Sequence, residues 1–253
     1  MLETKYSKVS SVVEGVRRLL TIRDAAIPDL SLEKKPSGEH VDIVVIDGKR
    51  IPMLSWRYEP RMNALRNYGQ KAVAENCCLN ASSFVGKDVD IRDVIYKELD
   101  ISEYLLGEPI VKVTAFINGA ACNLIAKTAS GSQANLELGA TMAPGTIPQF
   151  QHRLITKHGM ANDKGVNDLV EQSGVYVFSD SDTRPVVYND GEYYLYGLTV
   201  EESVDCTFIQ GIIRGKVSAD GLVAQDKHLR ELVDAVYESA RLGKSVTVGG
   251  GTK

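Results

Sequence analysis

The chain has 253 residues and a formal net charge of −4, with 43% hydrophobic and 25% charged residues, as expected for a globular protein of one large or two small domains. The negative charge argues against nucleic acid or an anionic membrane as a partner, since both favour a basic surface. No stretch reaches the roughly 18 apolar residues that span a membrane, and the N-terminal residues carry no apolar signal core. The four cysteines show no zinc-ligand spacing, so we expect reduced core thiols in a cytoplasmic protein without a metal site.

The N-terminal third alternates helical and extended patterns. Residues 8–23 place apolar side chains at three- and four-residue spacing, which predicts an amphipathic helix. A polar loop, IPDLSLEKKPSGEH, follows. The segments VDIVVI and RIPMLSW then predict two extended runs around a turn at Asp47-Gly48. Residues 60–76 are expected to be helical, and ENCCLNAS is a candidate strand.

The pattern is clearer from residue 90 onwards. DIRDVIYKELDISEYLLGEP predicts a helix that Gly107 and Pro109 end. Strand-like segments follow, several of them with alternating apolar and polar residues: IVKVTAFI, CNLIAKTA, ANLELGAT, HRLITKHG, GVYVFS, PVVYN and EYYLYG. LVAQDKHLRELVDAVYESARLGKSVTV predicts a final helix and short strand. Strands in succession, with helices before and after, predict an α+β fold with an open, mostly antiparallel sheet and helices packed on one face.

Two segments resemble the C-terminal, substrate-binding and oligomerisation domain of Gfo/Idh/MocA-type oxidoreductases. Residues 93–113 (DVIYKELDISEYLLGEPIVKV) resemble the part of that family in which an Asp, four residues before a His, opens a helix that leads through "LD…yLlGEP" into a strand. Residues 232–248 (LVDAVYESARLGKSVTV) resemble its C-terminal helix and strand. RLITKHGMANDKG and GKRIPMLSWRYEP are similar to two further segments.

This resemblance covers about residues 48–248 and implies a division of the chain. We expect residues 1–47 to form an N-terminal helix and loop extension, 48–248 a Gfo/Idh/MocA C-terminal-like α+β domain, and 249–253 a flexible tail. The family's nucleotide-binding domain begins with GxGxxG, whose glycines let the backbone approach a pyrophosphate. No such motif occurs in this chain. We therefore predict no cofactor, and NAD(P) only if a separate Rossmann-domain partner chain supplies the nucleotide domain.

The predicted helix carries a column of ionisable residues. At 100° per residue, Asp93, Lys97, Asp100 and Tyr104 fall within about 60° of one another. One interpretation is a solvated helix face with weak ion pairs. The resemblance implies another, in which this face lines a substrate site and Lys97 occupies the position of the family's His. Histidine titrates near neutrality and can take and return a proton, which lysine ordinarily does not, so the substitution undermines the family's proton relay.

The resemblance also implies substrate-binding residues outside this helix. Lys35, in the segment EKKP, corresponds to the Lys of the family's EKP motif. Arg57 and Tyr58 lie where the family places substrate contacts, although an ordinary surface loop is the alternative for both. His152 and His158 flank RLITK at a spacing that places them on one side of a strand. No third ligand accompanies them, so they predict no metal site.

Three functions remain open at this point. The leading hypothesis is a non-dehydrogenase binding or structural subunit with a pocket for a sugar-like or polyol-like ligand, assembled as a homo-oligomer through the open sheet face. The alternative is an NAD(P)-dependent oxidoreductase subunit completed by a Rossmann-containing partner chain, with Lys35, Asp93 and Lys97 in the active site. The third is a cofactor-free lyase or isomerase, in which Lys97 and Asp93 act as acid and base.

Overall fold

The structure, a computed structural model, describes residues 11–70, 77–164, 174–181, 186–188 and 197–248. These residues belong to two compact units. The first unit comprises Met1–Glu59 and Gly191–Lys227, and the second comprises Pro60–Asp190 and His228–Lys253. The end of the predicted helix 60–76, most of the EYYLYG segment and the tail 249–253 lie outside the described residues. The division at residues 47 and 48 stays a prediction.

The helices and strands have the following bounds. The helices are α1 (Val12–Ile22), α2 (Pro60–Gln70), α3 (Ile91–Leu106), α4 (Val200–Ile213) and α5 (Ala219–Leu242), with a 3-10 helix at Ser55–Tyr58. The strands are β1 (Leu30–Glu33), β2 (Ile43–Ile46), β3 (Lys49–Pro52), β4 (Cys78–Gly86), β5 (Ile110–Asn118), β6 (Ala121–Thr128), β7 (Gln133–Met142), β8 (Gln149–Thr156), β9 (Gly159–Asn162), β10 (Val175–Ser179), β11 (Val186–Tyr188) and β12 (Val246–Thr247). None of the described helices is long and apolar enough to cross a membrane.

The first unit contains a small antiparallel sheet in the order β1-β2-β3. The predicted hairpin between β2 and β3 is confirmed. Asp47 and Gly48 have φ angles of 49° and 77°, and two successive positive φ values are what the tightest hairpin turns require. Three elements of this unit were not predicted. One is the 3-10 helix at Ser55–Tyr58, which begins inside the segment RIPMLSW that was predicted to be extended. The segment treated as a polar loop contains β1, whose Leu30 is buried and pairs with Ile46. Helix α4 was missed altogether.

The second unit is built on a larger sheet in the order β11-β10-β9-β8-β4-β7-β6-β5-β12. Among these described strands, β4 and β7 pair in parallel, and the other neighbouring pairs are antiparallel. Helix α3 packs across β4 and β7. Along β6 the side chains alternate strictly between exposed and buried, so one face of the sheet meets the core and the other is open. The predicted α+β fold, with a mostly antiparallel sheet, is confirmed.

Helix α3 begins and ends where the sequence predicts. The Asp90 carboxylate accepts a hydrogen bond from the backbone amide of Arg92, which satisfies one of the free N–H groups at the helix start. Gly107 ends the helix with a φ of 74°, a left-handed conformation that glycine adopts without steric cost. These two ends define the length of α3, and α3 carries most of the candidate site.

Candidate functional site

The four ionisable residues predicted on α3 follow one side of the helix, because they are separated by four, three and four positions. Asp93 lies in the first turn, and Asp93, Lys97 and Tyr104 are each half-buried. Asp100 is fully buried, at 0% exposure. The interpretation of this column as a solvated helix face is therefore wrong at Asp100. A buried carboxylate needs compensating polar contacts, so this side of α3 faces protein at its centre and is accessible on either side.

Lys97 lies against an aromatic ring. Its ammonium nitrogen is 4.9 Å from the centroid of the Phe150 ring on β8, within the distance at which a cation is attracted to the face of a ring. Phe150 is half-buried. The position that the resemblance assigns to a histidine thus holds a partly accessible cation beside an accessible aromatic surface.

Tyr104 is held by helix α2. Its hydroxyl donates a 2.7 Å hydrogen bond to the side-chain oxygen of Asn63. The guanidinium carbon of Arg66 lies 4.2 Å from the centroid of the Tyr104 ring. Both partners come from α2, so the Tyr104 side chain is fixed by a hydrogen bond and a cation–π contact at once.

Next to Lys97 lies a buried group that the sequence analysis did not foresee, which we call the His152 cluster (His152, Glu98 and Asp163). His152 Nδ1 is 2.7 Å from Asp163 Oδ2, and His152 Nε2 is 3.0 Å from Glu98 Oε2. The backbone amide of His152 donates a further 2.7 Å hydrogen bond to Asp163 Oδ1. Burial alone lowers the pKa of His152, but the Asp163 and Glu98 carboxylates outweigh it and raise the pKa to about 10.

The His152 cluster and the Lys97 contact show how α3 lies against β8. Glu98 and Lys97 are consecutive on α3, and His152 and Phe150 alternate on the same face of β8. Two neighbouring helix residues therefore meet two same-face strand residues, one through a hydrogen bond and the other through a ring contact. The hydrogen bond between Glu98 and His152 thus helps to hold Lys97 beside Phe150. His158, predicted on the same side of the strand as His152, instead follows the end of β8 and pairs at the surface with Asp180.

A second histidine, His228 on α5, contacts the end of α3. His228 Nε2 lies 2.7 Å from Glu103 Oε1, and the same oxygen accepts a 2.7 Å hydrogen bond from the backbone amide of Ile110. The hydrogen bond to Glu103 raises the pKa of His228 against the opposing effect of burial. Glu103 thus joins α5 and the start of β5 to the last turn of α3.

The first unit contains the residues predicted around the EKKP segment. The backbone amide of Lys35 donates to Asp42 Oδ1 at 2.9 Å, and the Lys34 ammonium lies 2.8 Å from Asp42 Oδ2. The hydrogen bond to Asp42 raises the pKa of Lys34. Lys35 has a φ of 26°, which is unusual for a residue with a Cβ atom. Asp42 is therefore bound by the side chain of Lys34 and by the backbone amide of the exposed Lys35.

The 3-10 helix carries the other two predicted residues of the first unit. Arg57 and Tyr58 are half-buried, and the Tyr58 ring packs edge-on against Phe208 with centroids 5.4 Å apart. Sequence reasoning missed Asp205 on α4. Burial raises the pKa of its carboxyl, while a hydrogen bond to Ser55 and the nearby Lys34 oppose that shift.

The predicted site residues thus fall into two sets. Asp93, Lys97, Asp100 and Tyr104 share one helix of the second unit, whereas Lys35, Arg57 and Tyr58 belong to the first unit. Within the described ranges, no group of three or more His, Cys, Asp or Glu residues is arranged to hold a metal ion.

The strand-to-helix junction that leads into α3 does not fit a dinucleotide. A pyrophosphate needs a glycine-rich turn at a helix N-terminus, free of competing negative charge. Here Gly86 ends β4, and a Cβ at that glycine would meet the carboxylate of Asp88. Asp90 caps the helix and Asp93 lies in its first turn. These carboxylates repel a pyrophosphate at the α3 N-terminus.

Comparison with known proteins shows likeness in fold. No protein-family model matches the chain, and no curated protein matches it in sequence. Among solved structures, levoglucosan dehydrogenase in complex with NADH and levoglucosan matches with a TM-score of 0.61 at 16% identity, over 78% of this chain and 65% of that chain. An oxidoreductase from Agrobacterium radiobacter, in complex with NAD+, L-tartaric acid and magnesium, matches with a TM-score of 0.64 at 16% identity, over 96% of this chain and 72% of that one. An oxidoreductase domain protein from Kribbella flavida matches with a TM-score of 0.60 at 11% identity, over 77% of this chain and 64% of that chain.

These structures are oxidoreductases of the Gfo/Idh/MocA type. The chain has their fold. At 11–16% identity the likeness extends to the fold alone, and the chain spans about 65% of the length of levoglucosan dehydrogenase. The fold implied by the resemblance is thereby confirmed, while the chemistry must be argued from the residues of this chain.

Proposed function

We propose that this chain binds a small polyhydroxylated ligand, of sugar or polyol type, beside α3, and that its own residues bind no nicotinamide nucleotide. The observation that carries this proposal is the Lys97 ammonium 4.9 Å from the Phe150 ring, four residues after Asp93 on one side of the helix. We call Asp93, Lys97, Tyr104 and Phe150 the α3 site.

The chemistry of the α3 site suits a ligand with several hydroxyls. An ammonium donates up to three hydrogen bonds, and a carboxylate accepts them from neighbouring hydroxyls. An aromatic face offers an apolar surface for the C–H side of a sugar ring. A lysine side chain donates hydrogen bonds from a flexible stem, so Lys97 suits the binding of ligand hydroxyls.

The ligands of similar structures have the same character. Complexes of these similar structures contain levoglucosan, L-sorbose and L-tartaric acid, each of which carries several oxygen atoms on a small carbon frame. This agreement supports the ligand class and leaves the individual compound open.

Calorimetric titration with these three compounds tests the proposal. We expect saturable binding of at least one, and a loss of affinity of about tenfold or more in Lys97→Gln, since a hydrogen bond to a charged group contributes roughly 1.5–3 kcal/mol. Lys87→Gln is the matched control, because Lys87 is an exposed lysine in the turn before α3. Equal affinities for the Lys97 and Lys87 variants would contradict the proposed site.

A second candidate is an oxidoreductase subunit whose nucleotide domain comes from a separate chain. What favours it is that two of the similar structures were solved with NADH or NAD+. Asp93 and Lys97 would then be active-site groups. Co-purification of a Rossmann-domain protein with the tagged chain from its native host, followed by nucleotide-dependent oxidation of a polyol, would favour this candidate over simple binding.

We further propose that the chain self-associates through the open face of the larger sheet, as a cytoplasmic protein. Phe116 and Ile125 are 66% and 40% exposed on this face, and neighbouring exposed apolar side chains on an open sheet are commonly covered by a partner. Light scattering of the wild-type chain should give a multiple of the 27.6 kDa chain mass. Phe116→Glu should shift that mass towards the single chain, and an unchanged mass would contradict this interface.

A further inference from the structure

Two lysines lie directly opposite each other on the open face of the larger sheet. Lys112 on β5 is the antiparallel partner of Lys127 on β6, and both are exposed. Like charges at directly opposed positions destabilise a sheet. Within the described residues, neither ammonium has an ion-pair partner. The arrangement is therefore unfavourable unless a negative group neutralises it.

The two lysines border a pocket of about 170 Å³. Its other lining residues are Thr114, Ile125, Gln133 and Ser245. None of the six lining residues carries a carboxylate. The pocket therefore presents two positive charges together with hydroxyl and amide groups, and lacks any negative side chain of its own.

The neutral groups of the pocket leave donors available. Thr114 and Ser245 hydroxyl oxygens are 2.8 Å apart, so one hydroxyl donates to the other and the second keeps its O–H for a ligand. Gln133 donates one amide hydrogen to the Asn135 side-chain oxygen at 2.6 Å, which fixes its side chain. Its second amide hydrogen has no acceptor among the residues that the structure describes. Donors from β5, β7 and the segment before β12 thus surround the ammonium pair.

We propose that this pocket, the Lys112–Lys127 pocket, binds a small oxyanion of phosphate type, either free or as the phosphate group of a metabolite. A tetrahedral oxyanion accepts hydrogen bonds from several directions, and its negative charge offsets the repulsion between the lysines. The pocket is independent of the α3 site, because its residues come from β5, β6, β7 and the segment before β12. Ile125 also belongs to the proposed self-association surface, so the oxyanion and a second copy would compete for this face of the sheet.

Thermal unfolding at constant ionic strength, with sodium phosphate replacing sodium chloride, tests this inference. We expect a saturable rise in the melting temperature of the wild-type protein. Lys127→Gln should have two effects that a merely structural lysine would not show together. It should raise the melting temperature in chloride, because the repulsion is removed, and it should abolish the response to phosphate. Lys112→Gln should behave in the same way.

Direct titration with inorganic phosphate and with glycerol 3-phosphate then measures affinity. Each lysine variant should bind at least about tenfold more weakly, and Lys87→Gln should bind as the wild type does. If glycerol 3-phosphate binds more tightly than inorganic phosphate, the ligand is a phosphorylated metabolite. If the two bind equally, the pocket recognises the phosphate group alone. Either result supports the pocket. The inference is overturned if phosphate gives no saturable response, or if the lysine variants respond as the control does. It is also overturned if they alter only the dissociation constant of the oligomer, since a second copy would then neutralise the lysines.

Discussion

Replacement of His152 by Gln tests how α3 is held on the sheet. The side chains of the His152 cluster are almost inaccessible, at 3% for His152, 1% for Glu98 and 4% for Asp163. The substitution removes the imidazolium and leaves both carboxylates buried. Removing one partner of a buried ion pair costs about 3–5 kcal/mol, because the remaining charge is uncompensated. We expect the free energy of unfolding at pH 7 to fall by about that amount.

The same substitution should change the dependence of stability on pH. The pKa of His152 is raised from 6.5 to about 10 in the folded protein, so protonation of this histidine stabilises the folded state. That contribution is complete below pH 6.5 and is lost as the pH rises through about 10. Since one pH unit corresponds to about 1.4 kcal/mol, the ceiling on this contribution is roughly 5 kcal/mol. The stability difference between wild type and His152→Gln should therefore shrink as the pH rises from 6.5 to 10.

Urea unfolding followed by circular dichroism, at pH 6.5, 8 and 9.5, measures this difference. His158→Gln is the matched control, because His158 also pairs with an aspartate but lies at the surface, with His158 and Asp180 side chains 55% and 60% exposed. An exposed pair contributes about 0–1 kcal/mol. Equal costs for the two substitutions, or a difference that grows with pH, would refute the argument that the His152 cluster is a charged, stabilising contact.

Three further substitutions have defined outcomes. Tyr104→Phe removes the 2.7 Å hydrogen bond to Asn63. We expect the free energy of unfolding to fall by about 1 kcal/mol in chemical unfolding, and polyol binding to weaken by calorimetry. An unchanged free energy of unfolding would contradict the assigned bond. Thr199→Ala removes the side-chain half of the capping box at the start of α4; urea unfolding should show a loss of about 0.5–2 kcal/mol, whereas Thr199→Ser should retain most of the stability. Gly159→Ala places a Cβ against the backbone of β10 at a φ of 132°. We expect a lower melting temperature, and a larger fall in the free energy of unfolding than for the substitutions at Tyr104 and Thr199.

Local sequence patterns predicted most of the second unit. Alternation of apolar and polar residues located β5, β6 and β7, and the order Gly107 then Pro109 located the end of α3. The first unit was harder. Helix α4 has little amphipathic pattern, so the spacing of its apolar residues does not reveal it. Thr199 and Glu202 form a capping box at its start, and the Thr-x-x-Glu spacing is a sequence signal for such a helix start.

The candidate site could be predicted only in part. Helical spacing alone aligned Asp93, Lys97 and Tyr104. The contact between Glu98 and His152 joins residues 54 positions apart, and nothing in either local segment indicates it. Such a contact depends on the register of α3 against β8, which is set by packing of the whole unit. For the same reason, the burial of Asp100 could not be inferred from a helical wheel.

Native mass spectrometry of the purified chain, alone and with added NADH, levoglucosan or L-tartrate, tests the central proposal most directly. The account predicts species at multiples of the 27.6 kDa chain mass that take up a polyol-type ligand and no nucleotide, with ligand uptake reduced in Lys97→Gln. Stoichiometric binding of NADH by the chain itself would contradict the account, and would place nicotinamide chemistry within these residues.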